Sequence, residues 1–300
     1  MNDELRTDFG GVWTALITPF QKSGTGIDEA IFKKLIERQI EAQSRAVVLA
    51  GSTGEGPTLS LAEWESLLKI AAPYRDQIHI CISCSSSSTQ ESVERLQRAC
   101  NLGAQSALVS TPAYNKPMPK GVIAHFEALA KAQQKFPLIV YNIPGRTATN
   151  ISVETMTELW KIPEVVALKE SSGNWSQFLD LIESLPAKKN ILSGDDPMNI
   201  AMIAHGASGT VSVLSNVVPK LVVELVEAVS FGRIAEAAEV FYATYPLTKA
   251  LFSESNPIPV KYAVGLLMDR ELLPRLPLTR LEEKNSERIQ RELKILGVLA

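Results

Sequence analysis

Short apolar runs rich in β-branched residues recur eight times between residues 12 and 213, and no other feature constrains the fold as strongly. They are VWTALITP (12–19), AVVLAG (46–51), IHICISC (78–84), SALVSTP (106–112), PLIVYNIP (137–144), VVALKE (165–170), NILSG (190–194) and GTVSV (209–213). Each is short and bounded by turn residues, as strands are. Between them lie segments with helical spacing: Ile31, Leu35, Ile36 and Ile40 make one stripe, Trp64, Leu67, Leu68 and Ala71 a second, and Val93, Leu96 and Cys100 a third. Helix start signals fall where the stripes need them. Asp28 precedes the first, Ser60 with Glu63 forms a capping box before the second, and Ser88 or Thr89 precedes the third.

Strands alternating with helices point to an α/β fold with a parallel sheet. Several runs lack polar alternation, as expected when both strand faces are covered. Eight such units close most economically as a (β/α)8 TIM barrel, with an open doubly wound sheet as the alternative. The first loop, QKSGTGIDE, has no third glycine in dinucleotide register, and GxxxxGK[ST] is absent. After the eighth run the pattern changes, and everything from about Pro219 to Ala300 reads as helix. The expected division is a barrel over 1–225 followed by a small C-terminal all-helical domain over 226–300. A chain of 300 residues has ample core for both without a disulfide or metal staple.

Charge excludes whole classes of partner. With 30 Lys+Arg against 33 Asp+Glu, the chain has no basic footprint for nucleic acid or an anionic membrane. The uncharged stretch from Pro197 to Pro219 carries Asn199, His205, Ser208 and Thr210, too polar for a bilayer span and better read as helix then strand. The N-terminus is polar and shows no signal peptide, so a cytoplasmic location is expected. Cys81 and Cys84 spell CxxC inside a strand, which separates their Cα atoms by about 10 Å, too far for a disulfide. They read as buried strand cysteines. His79, His125 and His205 fall in strand or helix positions without evident partners and read as structural.

In either fold, ligands meet the C-terminal ends of parallel strands. Those ends read Thr18-Pro19, GSTGEG, TPAYN, YNIPGRT, Lys169-Glu170, SGDD and VSV, so hydroxyls, one lysine and one arginine converge on a rim. Lys169 is the sharpest signal. Burying an ammonium among apolar neighbours favours its neutral form, and a neutral amine is the nucleophile that makes a Schiff base with a carbonyl. The competing reading is a lysine that reaches solvent or pairs with Glu170. The GSTGEG loop suits a small carboxylate, with an ordinary turn as the alternative. Tyr141 reads as a proton shuttle or a core tyrosine, and Arg146 as a carboxylate clamp or a surface residue.

The strings TALITPF, GSTGEG, TPAYNKP, YNIPGRT, ALKESSG, LSGDD, GTVSV and ESNPIPVKYA, in this order over essentially the whole chain, resemble the dihydrodipicolinate synthase family of class I aldolases, which also contains the N-acetylneuraminate lyases. The resemblance implies a (β/α)8 barrel with a C-terminal helical domain, assembled as a homotetramer of tight dimers. It implies that Lys169 captures pyruvate as a Schiff base and that Ser52 and Thr53 hold its carboxylate. Tyr141, Ser52 and Tyr114 match the proton relay, with Tyr114 reaching a neighbouring subunit's site. Arg146 matches the residue that binds the carboxylate of aspartate semialdehyde, and Gly194 and Val211 match backbone contacts around the lysine. No metal or organic cofactor is implied.

Arg146 and NPIPVK favour a synthase, acting in lysine and diaminopimelate biosynthesis, over a lyase that releases pyruvate from a 2-keto sugar acid such as N-acetylneuraminate. Ser52 departs from the usual synthase threonine but keeps the hydroxyl. Ala113 stands where many synthases carry a stacking tyrosine. Trp64 replaces a polar residue of the pocket through which lysine inhibits regulated members, whereas Ser87 and Glu91 match that pocket. The expectation is therefore weak or absent inhibition by lysine.

Overall fold

The structure is a computed structural model that describes residues 9–22 and 24–299. The N-terminal residues 1–8, where no signal peptide was expected, and Ser23 of the first loop lie outside the described residues.

All eight runs contain strands: β1 (Gly11–Ala15), β2 (Ala46–Leu49), β3 (His79–Ser83), β4 (Ser106–Ser110), β5 (Leu138–Asn142), β6 (Val165–Glu170), β7 (Asn190–Ser193) and β8 (Gly209–Ser212). They pair in parallel in chain order, and β8 returns to β1, so the sheet closes as a barrel. The intervening helices are α1 (Glu29–Glu41), α2 (Leu61–Ala71), α3 (Thr89–Asn101), α4 (Pro119–Ala132), the short α5 (Pro144–Thr147), α6 (Val153–Leu159), α7 (Trp175–Glu183), α8 (Asn199–Ala204) and α9 (Pro219–Ser230). Beyond them come α10 (Ile234–Leu251), α11 (Ile258–Leu267) and α12 (Glu283–Ile295).

The caps act as the sequence indicates. Asp28 accepts from the Ile31 N–H at 3.1 Å, and Ser60 and Glu63 complete a reciprocal capping box. Of Ser88 and Thr89 it is Ser88 that caps α3, since Thr89 is already its first helical residue. Each such cap contributes about 1 kcal/mol. The first strand is shorter than its apolar run. The Leu16 N–H still bonds to Val48, but the Ile17 N–H turns to the Asn216 side chain at 3.1 Å, which ties the start of the barrel to its end.

Two apolar layers result. Trp13, Val48, Cys81, Leu108, Ile139, Tyr141, Leu192 and Val211 fill the barrel, with Phe9 stacked on Trp13. Residues of the outward strand faces pack against helix residues that include Leu35, Leu67, Leu96, Phe126 and Phe178. Cys81 and Cys84 are buried free thiols, and burial pushes the Cys81 thiol up to about 12, far from reactive. The histidines do have partners, contrary to the sequence reading: His79 bonds Ser106, His125 bonds Thr89, and His205 bonds the Ala201 carbonyl. Those partners lie on neighbouring strands and helices or one helical turn away.

Residue 225, the expected division, falls inside α9, which packs against β1 and β8 as the eighth barrel helix. The helical reading of the tail also breaks at 268–282, which is irregular. Pro274 and Pro277 lie there, and proline has no N–H for a helical bond. In α12 only Ile289 and Leu293 are buried, and its charges lie mostly outward. Among the described residues no helix is long and apolar enough to cross a membrane.

Candidate active site

A one-residue irregularity in β6 decides which charge faces the barrel mouth. Leu138 of β5 pairs with Val165, yet the next residue, Ile139, pairs with Ala167, so Val166 is an extra residue. Val166 and Ala167 both belong to the barrel interior, while Val165 and Leu168 pack toward the helices. Side chains on a strand alternate with period two. Unbroken alternation from Val166 would turn Glu170 inward and Lys169 outward; the bulge reverses that, as bulges near sites commonly do. Lys169 is consequently buried inside the barrel, 6% exposed, with Nζ 4.1 Å from the ring centroid of Tyr141, its partner across the strand pair.

Glu170 does not pair with Lys169. Its carboxylate accepts from Asn142 Nδ2 at 2.9 Å and from the Ser172 N–H at 2.6 Å. Asn142 Oδ1 accepts in turn from the Ile151 N–H. This buried network ties β5 to β6 directly behind Tyr141 and Lys169, so neither side chain rests on a fraying strand end. On the other flank Gly194 follows β7, and its N–H donates to the Glu170 carbonyl at 2.8 Å. A Cβ there would stand 1.9 Å from Ser171 Oγ and 2.8 Å from Lys169 Cε. Glycine at 194 therefore makes the room that the lysine occupies. Val211 packs in the interior layer with Tyr141.

Opposite lies the loop after β2. Ser52 is half-buried and Thr53 buried. The Thr53 hydroxyl accepts from Asn256 Nδ2 at 2.9 Å, which leaves its own proton available to a carboxylate. Arg146, exposed on α5, donates to the Asn256 carbonyl at 3.2 Å. Asn256 thus links the two carboxylate-binding candidates. Sequence reading did not single it out, although the string NPIPVK that contains it was noticed. A cavity of about 460 Å³ joins Ser52, Tyr141 and Arg146 to a second wall of Ser85, Ser86, Ser87, Arg95 and Ala113.

Two expected residues stand apart. Tyr114 is 93% exposed, at φ 72°, and does not reach Lys169 within its own chain. Its turn is held by Ser87, whose hydroxyl donates to the Ala113 carbonyl at 2.9 Å. Trp64 is buried behind the cavity wall, not on it, and its indole N–H donates to the Ser83 carbonyl at 3.0 Å. Glu91 is engaged by Ser86 and Arg95, each at 2.6 Å, and the Ser86 hydroxyl followed by the Arg95 charge holds its carboxyl below the ordinary range despite partial burial. Among the described residues no three His, Cys, Asp or Glu side chains gather as a metal-holding group.

The arrangement offers a buried amine, a phenol beside it, hydroxyls for one carboxylate and a guanidinium for another. The sequence pattern of the dihydrodipicolinate synthetase family matches residues 8–296. A 4-hydroxy-tetrahydrodipicolinate synthase of Nitratidesulfovibrio vulgaris is 39% identical over 293 residues, 97% of this chain and 99% of that one. One from Thermosynechococcus vestitus is 39% identical over 98% of this chain and 99% of its own. Among solved structures, dihydrodipicolinate synthase from Aquifex aeolicus superposes with a TM-score of 0.93 at 37% identity, covering 97% of this chain and 99% of that one. The enzyme from Cyanidioschyzon merolae with lysine bound superposes at 0.94 with 34% identity and the same coverage.

Proposed function

This chain belongs to the dihydrodipicolinate synthetase family, and from that membership and the site we infer that it is an enzyme condensing pyruvate with aspartate semialdehyde to give 4-hydroxy-tetrahydrodipicolinate, on the route to diaminopimelate and lysine. The observation that carries the reading is Lys169, turned into the barrel mouth beside Tyr141 and facing the Ser52–Thr53 loop.

The chemistry is that of a class I aldolase. Lys169 Nζ adds to the ketone carbon of pyruvate, and water leaves to form an imine. The cationic imine acidifies the neighbouring methyl, which gives up a proton and becomes the enamine carbon. In this reading the Tyr141 hydroxyl relays these protons, together with Ser52 and with Tyr114 of a second subunit. The enamine carbon bonds to the aldehyde carbon of the semialdehyde, whose oxygen takes a proton to become a hydroxyl, and the imine to Lys169 is restored. The amine of that substrate then attacks the imine carbon, releases Lys169 and closes the ring. Thr53 and Ser52 donate to the pyruvate carboxylate, Arg146 binds the carboxylate of the semialdehyde, and Gly194 and Val211 shape the space around the lysine. No metal or organic cofactor takes part.

The exposed Tyr114 supports an assembly of tight dimers, and the proposal includes a homotetramer built from them. The helices after α9 are proposed as a C-terminal domain that packs on this barrel. A cytoplasmic location accompanies the pathway. The sugar-acid lyase reading loses weight because the similar proteins named above are synthases and Arg146 is present.

Pyruvate followed by borohydride tests the mechanism: a stable adduct is expected on Lys169 by mass spectrometry, and no adduct there would remove the Schiff base. Condensation of pyruvate with aspartate semialdehyde, measured beside release of pyruvate from N-acetylneuraminate, distinguishes the synthase from the lyase reading.

A further inference from the structure

A fully buried ion pair lies just beyond the site and takes no part in the chemistry above. Lys261 on α11 bonds Glu55 Oε1 at 2.5 Å, with the two side chains 0% and 1% exposed. The other carboxylate oxygen of Glu55 accepts from the Arg275 N–H at 2.8 Å. The Phe20 ring completes the cluster, with Lys261 Nζ 4.1 Å and Arg275 Cζ 3.8 Å from its centroid. The partners are more than 200 residues apart in sequence.

Such a pair is a poor device for stability alone. Desolvating two charges costs as much as their attraction returns, and a well-packed apolar pair of similar volume is often as stable. What the pair does here is geometric. Glu55 follows Thr53 by two positions and holds a left-handed backbone at φ 54°. Gly56 beside it presses so closely on the end of β2 that a Cβ would sit 2.1 Å from the Ala50 carbonyl oxygen. Thr18 fastens the same loop from the other side, donating to the Gly54 carbonyl at 2.7 Å. Asn256, five positions before Lys261, holds the Thr53 hydroxyl itself. The loop that carries the carboxylate-binding hydroxyls is thus gripped by a segment folded back from the far end of the chain.

We propose that the Lys261–Glu55 pair is a positioning device that holds the Ser52–Thr53 loop in the conformation that receives the pyruvate carboxylate. This rests on the pyruvate reading given above. Loss of the pair displaces the Thr53 and Ser52 hydroxyls that hold the pyruvate carboxylate, so it weakens pyruvate capture, and because Ser52 also relays protons it lowers turnover as well.

The test compares wild type, Glu55→Gln and the double variant Glu55→Gln/Lys261→Met, which removes both charges and leaves none stranded. Circular dichroism establishes folding; pyruvate KM and the pyruvate concentration giving half-maximal borohydride labelling of Lys169 are then measured. Both concentrations are expected to rise about ten-fold or more in the folded double variant, with a fall in kcat accompanying them through Ser52. Wild-type values in the folded double variant would overturn the proposal. So would a double variant that does not fold, because the pair would then serve the fold and not the loop. Absence of labelling in wild type would instead remove the pyruvate reading on which the proposal stands.

Discussion

Replacing Gly194 with alanine isolates what the space around Lys169 is worth. The backbone at 194 lies outside the left-handed region, so alanine meets no conformational penalty and the effect is purely steric. The new methyl would stand 1.9 Å from Ser171 Oγ, 2.8 Å from Lys169 Cε and 3.1 Å from Lys169 Cγ. Ser171 relieves its contact by rotating its hydroxyl. Lys169 has no such escape, because two of its carbons are crowded at once and Tyr141 lies beside its Nζ. Ordinary carbon contacts of about 3.5–4.0 Å therefore require the side chain to move by roughly 1 Å.

A misplacement of that size costs about 10²-fold in rate, or about 2.7 kcal/mol of transition-state stabilisation. Overpacking costs the fold about 1–3 kcal/mol, which a domain of ordinary stability survives. The assay pairs steady-state condensation kinetics with thermal unfolding. The expected result is a folded Gly194→Ala protein whose kcat/KM falls about 10²-fold, with slower borohydride labelling of Lys169. A folded variant within about three-fold of wild type would refute the claim that glycine is there to seat the lysine.

Tyr141→Phe keeps the ring beside Lys169 and removes only the hydroxyl, so activity should fall by about 10²-fold or more with an unchanged melting temperature; near-normal turnover would show that protons travel by another route. The Arg275 hydrogen bonds hold the Glu63 carboxyl at about 2, down from an ordinary value of 4.5. A depressed carboxyl stabilises the fold above its unfolded value and loses that contribution as pH falls, so wild type and Glu63→Gln should differ in melting temperature above pH 4.5 and converge toward pH 2, whereas parallel curves would contradict the assignment. Free lysine should inhibit weakly or not at all, since Arg95 lines the serine-walled end of the cavity and already engages Glu91, leaving less negative charge for an ammonium; inhibition at sub-millimolar lysine in an initial-rate titration would sink that expectation.

How much of this was legible depended on how far each interaction reaches along the chain. The caps at Asp28 and Ser60 are made within three residues, and both read correctly. Eight strand-and-helix units specify a barrel because each strand is buried on both faces and pairs with its sequence neighbour. Lys169, Tyr141, Ser52 and Thr53 lie at strand ends, where any parallel barrel gathers its ligands. Asn256 and Lys261 escaped because their contacts, to Thr53 and Glu55, span more than 200 residues. No local pattern records such a meeting. Trp64, matched to the lysine pocket by resemblance, lies behind the cavity wall with its indole N–H on the Ser83 carbonyl, a contact that no local pattern records either.

The β6 bulge had no local signature either, yet it decides the chemistry of the mouth. VVALKE places a lysine and a glutamate side by side, and on a strand adjacent residues face opposite ways. Only one of them enters the barrel. With the register unbroken the carboxylate of Glu170 would enter, and at about 4 Å it would repel a substrate carboxylate by about 4 kcal/mol at an effective dielectric of 20. It would also provide no amine for an imine. The extra residue Val166 sends Lys169 in and leaves Glu170 to bond Asn142 and the Ser172 N–H on the outer face. The residue proposed as the nucleophile and the residue that braces its strand are thus chosen together, by one irregular step in the pairing of β5 with β6. A substitution that restored regular pairing there would exchange their roles, even with every site residue still present in the sequence.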